Sequence, residues 1–410
     1  MSQYHSDLLR LLDERGYIHQ TTDAAALDAL AQKQVVPGYA GFDATASSLH
    51  VGHLVQIFLL RRLQQAGHRP IVVMGGGTTK IGDPSGKDES RKMLTPERIE
   101  ENIAAIRPTF ERLLDFGGPN AAIVVNNDDW LSALSYIDLL RDVGPHFTIN
   151  RMLTFDSVRL RLDREQPLTF LEFNYMILQA YDFRELSRRF GCRLQMGGSD
   201  QWGNIVNGIE LGRRVDGTEL FGVTTPLLTT ADGKKMGKTA AGAVWLNEDL
   251  LPAYDFWQYW RNCDDRDVGR FLRLFTDVPI DEIARLETLE GSAINEAKIR
   301  LADEVTALCR GEDAAASARK TAEEVFARGG VGEDLPELAL PAEGMPIVAA
   351  LTAIGFTKSN GEAKRKVAEG AVRLDDAAVS DPQMIVTPAA GQPVKLSLGK
   401  KRHGLLTLQA

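Results

Sequence analysis

The 410-residue sequence predicts an α/β fold built on a parallel sheet, then an all-helical domain, then a small α+β module. Three observations predict it. The first half alternates short apolar runs with longer helix-period stretches, the pattern of a parallel sheet covered by helices on both faces. Strand signals stop after about Trp245, and 249–329 reads as helix after helix. A stretch rich in glycine and proline, 329–346, then leads to two short helical patterns and alternating short strands. The expected domains are therefore 1–230, 231–330 and 347–410, with 331–346 as a linker.

Taken in order, 35–42 reads as a strand and 51–66 as an amphipathic helix. An apolar run at 70–74 ends in three glycines. The next helix spans 95–116, opened by Thr95 as N-cap with Pro96 at the first helical position. Residues 121–125 form a strand. A long helix over 168–190 is ended by Gly191, followed by a strand at 193–196 and a helix at 201–211. In the helical domain, Ile294, Ala297, Leu301, Val305 and Leu308 make one apolar stripe at helical period. Ligands of such sheets sit at the carboxyl ends of strands, near the switch in strand order.

Apolar residues make up 44% and charged residues 25%, an ordinary water-soluble composition. No run of about eighteen apolar residues suggests a membrane span, and the first residues carry no secretory signal pattern. Three widely spaced cysteines, Cys192, Cys263 and Cys309, suit a reducing cytoplasm and give no metal-ligand spacing, so no protein-bound structural metal is expected. The net charge of −9 is unevenly spread. Residues 345–410 hold nine Lys/Arg and five Asp/Glu, or +4, which leaves −13 on the rest. A basic tail on an acidic body is the distribution expected when part of the surface meets RNA.

Four segments carry chemistry. His50 and His53 flank Gly52 at a helix start, where exposed N–H groups and the positive dipole end suit a phosphate-rich anion. Two histidines on a surface helix start are the plainer alternative. Residues 75–87 are glycine-rich but fit neither common phosphate loop. Ile81 stands where a P-loop needs glycine, and Lys80 where a dinucleotide fingerprint does. A glycine-rich surface turn remains open there. Tyr175, Gln179 and Asp182 fall at i, i+4 and i+7 on one helix face, which is either a solvated stripe or the lining of a site. Burial of Asp182 would require a defined partner, and a ligand hydroxyl could serve. Lys235 and Lys238 sit between glycines at 232–239. They form either a solvated basic turn or a lysine loop that neutralises phosphate charge in a transition state.

Occurring together and in this order, the four segments resemble class I aminoacyl-tRNA synthetases. His50-Val-Gly-His53 resembles that family's "HIGH" motif, and Lys235-Met-Gly-Lys-Thr239 its "KMSKS" motif. Tyr39, the Gly-Asp-Pro-Ser-Gly-Lys run at 82–87, Tyr175/Gln179/Asp182 and Gly-Gly-Ser-Asp-Gln-Trp-Gly-Asn at 197–204 are similar to the bacterial tyrosyl-tRNA synthetases. The tail at 355–373 resembles a small RNA-binding module also found in a ribosomal protein.

The resemblance implies a Rossmann-like catalytic domain, a helical anticodon-binding domain and an RNA-binding tail. It implies that Tyr39 and Asp182 bond the phenol hydroxyl of tyrosine, that Asp83, Tyr175 and Gln179 hold its ammonium, and that Asn127 and Gln201 line the same pocket. Gly41 and Asp43 would sit beside the aminoacyl carbonyl and phosphate, with Gly198 and Asp200 at the ribose. Gly52 lets the nucleotide approach closely. Thr45, His50, His53, Lys87, Arg91, Lys235 and Lys238 would contact phosphates. Lys358, Lys364, Arg365 and Lys366 would meet tRNA. ATP with Mg²⁺, tRNA(Tyr), a homodimer and a cytoplasmic location are implied as well, with no membrane partner.

Relatives often carry cysteine at position 40 and proline at 44, where this chain has alanine. Ala40 cannot hydrogen-bond a ribose. Gly237 replaces the usual serine, a variation known in the family. Two rivals stay open: a tryptophan-specific class I enzyme, and a non-catalytic RNA-binding protein on the same scaffold.

Overall fold

The computed structural model describes residues 3–83, 93–233, 236–239, 242–327, 335–375, 377–389, 392–399 and 402–409. The chain divides into two compact units. The first holds 1–237, 245–247 and 266–288; the second holds 238–244, 248–265 and 289–410.

The first unit is built on a six-stranded sheet. Its strands are β1 (Gln20–Thr21), β2 (Pro37–Phe42), β3 (Arg69–Met74), β4 (Ile123–Asn126), β5 (Leu194–Gly198) and β6 (Phe221–Thr225), in the spatial order β1-β6-β5-β2-β3-β4. Every neighbouring pair is parallel except β1–β6. The expected parallel sheet is therefore a mixed one with a two-residue antiparallel edge. Such a short edge strand carries no hydrophobic alternation for a sequence reading to catch. Strand order reverses between β2 and β5, so their carboxyl ends frame a crevice.

Helices close both faces. Val51–Gln65 buries Val51, Leu54, Ile57, Phe58, Leu59, Leu60 and Leu63. That spread covers most of the helix circumference, so it is a buried helix rather than a half-exposed one. Each such side chain contributes about 1.5–3 kcal/mol. Pro96–Leu113 starts as expected, with the Thr95 hydroxyl accepting from Arg98 N. Phe170–Phe190 has a full capping box between Thr169 and Glu172 and ends at Gly191 in the left-handed region, φ 65°. Glu172 also pairs with buried Arg161 at 3.0 Å.

The segment 266–288 departs from the sequence-based boundary: it packs with the sheet unit. Three arginines hold it. Arg15 donates to the carbonyls of Thr276 and Val278, each at 2.9 Å. Arg61 reaches Asp277 at 3.0 Å, and Arg62, 1% exposed, reaches both Asp277 and the Thr276 carbonyl. Guanidinium groups here satisfy carbonyls just past the helix Val268–Phe275. Burial works to raise the Asp277 pKa, but bonds and charge from Arg61 and Arg62 outweigh it and hold the carboxyl below its usual range.

In the second unit, helices Ala253–Arg261, Ile294–Arg310 and Glu312–Ala327 pack on one another. The middle of the expected stripe is inside, with Ala297, Leu301 and Val305 fully buried and Ile294 and Leu308 half-buried at its ends. The C-terminal module packs helices Ile347–Ala353 and Asn360–Ala368 on a five-stranded sheet, around Ile347, Leu351, Val367, Val372, Leu396 and Leu406. Glu337–Leu340, inside the stretch read as linker, is a strand of that sheet, parallel to Arg402–Leu408. Leu340 is fully buried, so the module's ordered structure begins before 347. Among the described residues, no helix is long and apolar enough to cross a membrane.

Candidate active site

A cavity of about 370 Å³ opens at the carboxyl ends of β2, β3, β5 and β6, where the strand order predicts a ligand site. β2 contributes Tyr39, Ala40, Gly41 and, just beyond, Asp43; β5 contributes Gln195 and Gly198. Tyr175, Gln179 and Asp182 line one wall from the helix Phe170–Phe190. Their i, i+4, i+7 spacing thus marks a site and not a solvated stripe. The start of the glycine run is not a surface turn either, and its residues 84–87 lie outside the described residues. Gly76–Thr79 forms one buried helical turn behind β3.

Asp182 is held by two side-chain donors. It is 3% exposed. Its Oδ1 accepts from the indole N–H of Trp130 at 2.7 Å, and its Oδ2 from Asn127 Nδ2 at 2.9 Å. Asn127 is fixed in turn. Its Oδ1 accepts from Gly77 N at 2.8 Å, and its Nδ2 also reaches Thr78 Oγ1 at 3.1 Å. Thr78 donates to Asp43 at 3.0 Å, which closes a chain across the cavity. The Gly76 and Gly77 backbones come so close to Asn126 and to Leu131 and Asn127 that a Cβ on Gly76 would lie 2.2 Å from Asn126 Oδ1. Burial pushes the Asp182 pKa up to about 7, against the bonds from Asn127 and Trp130 that lower it; the Asp43 charge adds to the rise.

Tyr39 is 2% exposed and stacks edge-on against Phe183. Its hydroxyl is buried with no hydrogen-bond partner among the described residues, as is Gln179 Oε1. Burial, with Asp182 beside it, raises the Tyr39 pKa well above its usual value. Buried orphan groups are costly unless a ligand completes them. Asp83 accepts from Gln201 Nε2 at 3.1 Å, and Asn204 Nδ2 orients Gln201 from behind at 3.0 Å.

The other end is the histidine turn. The His50 ring caps the helix Val51–Gln65, its Nδ1 accepting from Gly52 N at 3.1 Å, while His53 Nδ1 accepts from His50 N at 3.2 Å. Both Nδ1 atoms are thus acceptors, so each neutral ring carries its proton on Nε2. The rings lie 4.0 Å apart. Thr45, Gly52 and Asp200 line this end too. Gly198 has no side chain to keep Asp200 away: a Cβ would lie 2.6 Å from Asp200 Oδ1.

Fifteen of the expected catalytic, tyrosine-binding and ATP-binding residues therefore converge on one cavity. Lys87, Arg91 and Lys235 lie outside the described residues, and Lys238 is described in its backbone alone. Ala40 presents only a methyl group to the cavity. Ala44 N donates to Thr79 Oγ1 at 2.9 Å, a bond that proline could not make. Thr78, Gln56 and Gln195 line the cavity and Trp130 donates to Asp182, and none of the four was among the expected site residues. Gln56 and Gln195 carried a faint signal as polar residues within apolar runs, and Thr78 lay inside the glycine-rich segment 75–87, whereas Trp130 carried none.

Comparison with known proteins decides the family. The model of the class I tRNA synthetases for tryptophan and tyrosine matches residues 32–327. The tyrosine–tRNA ligase of Novosphingobium aromaticivorans is 68% identical over 407 residues, 99% of each chain. That of Rhodospirillum rubrum is 61% identical over 413 residues, again 99% of each. The chain belongs to the tyrosine–tRNA ligase family. The crystal structure of a C-terminally truncated mitochondrial tyrosyl-tRNA synthetase from Aspergillus nidulans superposes with a TM-score of 0.71 at 28% identity, covering 78% of this chain and 95% of that one. Lys358, Lys364 and Arg365 are exposed on or beside the helix Asn360–Ala368, but Lys366 is half-buried and paired with Glu369 at 2.7 Å.

Proposed function

We propose that the cavity is where this tyrosine–tRNA ligase joins tyrosine to ATP, with the phenol at its buried end and the triphosphate at the histidine turn. The family reaction has two steps. A carboxylate oxygen of tyrosine attacks the α-phosphorus of ATP, the bond to the β-phosphate breaks, and pyrophosphate leaves. A ribose hydroxyl of the terminal adenosine of tRNA(Tyr) then attacks the adenylate carbonyl, and AMP leaves. The first step needs no protein nucleophile, so positioning and charge stabilisation carry it.

The observation that carries the assignment is the buried, unpartnered Tyr39 hydroxyl beside Asp182. A phenol hydroxyl can donate to the carboxylate and accept from Tyr39. We assign the ammonium to Asp83, Tyr175 and Gln179, with Asn127 and Gln201 holding the pocket. Gly41 and Asp43 fall to the reacting carbonyl and phosphate, and Gly198 and Asp200 to the ribose. Thr45, His50, His53, Lys87, Arg91, Lys235 and Lys238 are assigned to the phosphates, with Gly52 allowing their approach. ATP–pyrophosphate exchange measured with tyrosine, phenylalanine and tryptophan tests this. Exchange with tyrosine is expected; exchange driven by tryptophan, or by no amino acid, defeats the assignment.

Mg²⁺ would arrive with ATP and neutralise phosphate charge. Among the described residues no cluster of three His, Cys, Asp or Glu could hold a metal by itself, so chelation should stop exchange without unfolding the protein. We assign tRNA contact to Lys358, Lys364 and Arg365, and a smaller share to Lys366. A homodimer is supported by apolar exposure between 136 and 171: Ile137 is 67% exposed, Ile149 60% and Phe170 69%. Sedimentation should give twice the 45.1 kDa of the chain. Three free cysteines fit a cytoplasmic setting.

A further inference from the structure

Past β6 the chain lines the cavity through Pro226, Leu227 and Leu228, then leads to the lysines. A distant part of the sequence holds this run. Asp267 stands at the N-cap of the helix Val268–Phe275, where an aspartate ordinarily accepts from the first helical N–H groups. It makes no such bond. Its carboxylate is buried at 3% exposure and is used elsewhere. Oδ2 accepts from the Ala231 backbone N–H at 2.8 Å, and Oδ1 from Arg270 Nη2 at 2.7 Å. Arg270 Nη2 also donates to the Thr229 carbonyl. One ion pair therefore grips a carbonyl and an N–H two residues apart.

The far end of the same run is also fixed. Met236 N donates to the Leu228 carbonyl at 3.0 Å. Gly237, at φ 105°, lies against the histidine turn so closely that a Cβ would sit 2.9 Å from His50 Nδ1 and 3.0 Å from Gly52 N. The chain is thus tied at Thr229 and Ala231 and again at Met236 and Gly237.

We propose that Asp267 and Arg270 are positioning residues for amino-acid activation: by clamping Thr229 and Ala231, they set where the lysine-bearing segment enters the phosphate end. Neither residue lines the cavity, so they act through that segment. The proposal rests on the assignment of Lys235 and Lys238 to the phosphates.

The test is a double-mutant cycle on the full chain, read by the single-turnover rate of adenylate formation, tyrosine affinity and Tm. Asp267→Ala should slow adenylate formation roughly ten- to a hundredfold, the scale of a small misplacement remote from the chemistry. Tyrosine affinity should stay unchanged. Asp267→Asn keeps an oxygen for Ala231 N–H and should lose less. In a Lys235→Ala/Lys238→Ala background, Asp267→Ala should cost less than about twofold more, because nothing remains to be positioned. Arg270→Gln, at a partly exposed side chain, gives the same readout should Asp267→Ala fold poorly. Losses that multiply in the double background, or tyrosine affinity falling in step with rate, would overturn the clamp alone. A lysine variant that activates tyrosine at the normal rate would overturn both the clamp and the lysine assignment.

Discussion

The two ends of the cavity are built in opposite ways. At the end proposed for tyrosine, side chains hold side chains. Asp182 has two donors, and Asn127 and Thr78 carry the network to Asp43, all on rigid helices and strand ends. At the end proposed for the phosphates the framework is backbone, with a helix start, two rings that cap it, and glycines at 52 and 237 that let main chains meet. A preorganised pocket of fixed polarity suits discrimination between amino acids. A cluster of N–H groups and cations suits charge that develops during reaction.

If that division of labour holds, the largest effect on rate belongs to the phosphate end. Lys235→Ala with Lys238→Ala should slow adenylate formation by about 10²–10³, while tyrosine binding, read by equilibrium dialysis, stays intact. Parallel loss of both would erase the distinction between the ends. His50→Ala comes next. It removes a proposed phosphate contact and an observed cap, so the rate should fall and stability should drop by about 1 kcal/mol; a rate loss at unchanged Tm would show that the ring's capping role is idle.

Smaller is the effect of deleting residues 335–410, which should weaken tRNA charging about tenfold at moderate salt and spare pyrophosphate exchange. Charging at full rate would remove the tail from tRNA binding.

The smallest effect concerns stability and the tyrosine end. The Asp182 pKa is raised in the folded chain, from 3.8 to about 7. Such a shift stabilises the fold below the unfolded pKa and loses that stability as pH rises through about 7. Asp182→Asn should therefore raise Tm more at pH 8 than at pH 5 in the absence of tyrosine. An equal gain at both pH values would mean the buried carboxyl is not strained when ionised.

The same contrast governs what the sequence could disclose. Tyr175, Gln179 and Asp182 were legible because helical periodicity alone places them on one face. His50 and His53 were legible because a helix start has a local signature. Trp130 and Thr78 were not, because their partners lie 52 and 35 residues away and only the folded sheet brings them close. For the same reason 266–288 read as one more helical stretch. Its attachment to the sheet unit depends on Arg15, Arg61 and Arg62, which look like surface arginines in the sequence. The strand Glu337–Leu340 hid behind glycines and prolines, although its buried Leu340 was there to be seen.

Amino-acid selectivity in pyrophosphate exchange tests the account most directly. The ratio of tyrosine- to phenylalanine-dependent exchange should collapse in Tyr39→Phe/Asp182→Ala, through loss of tyrosine activity, while phenylalanine-dependent turnover changes little. A ratio that survives both substitutions would mean that the hydroxyl is recognised somewhere else.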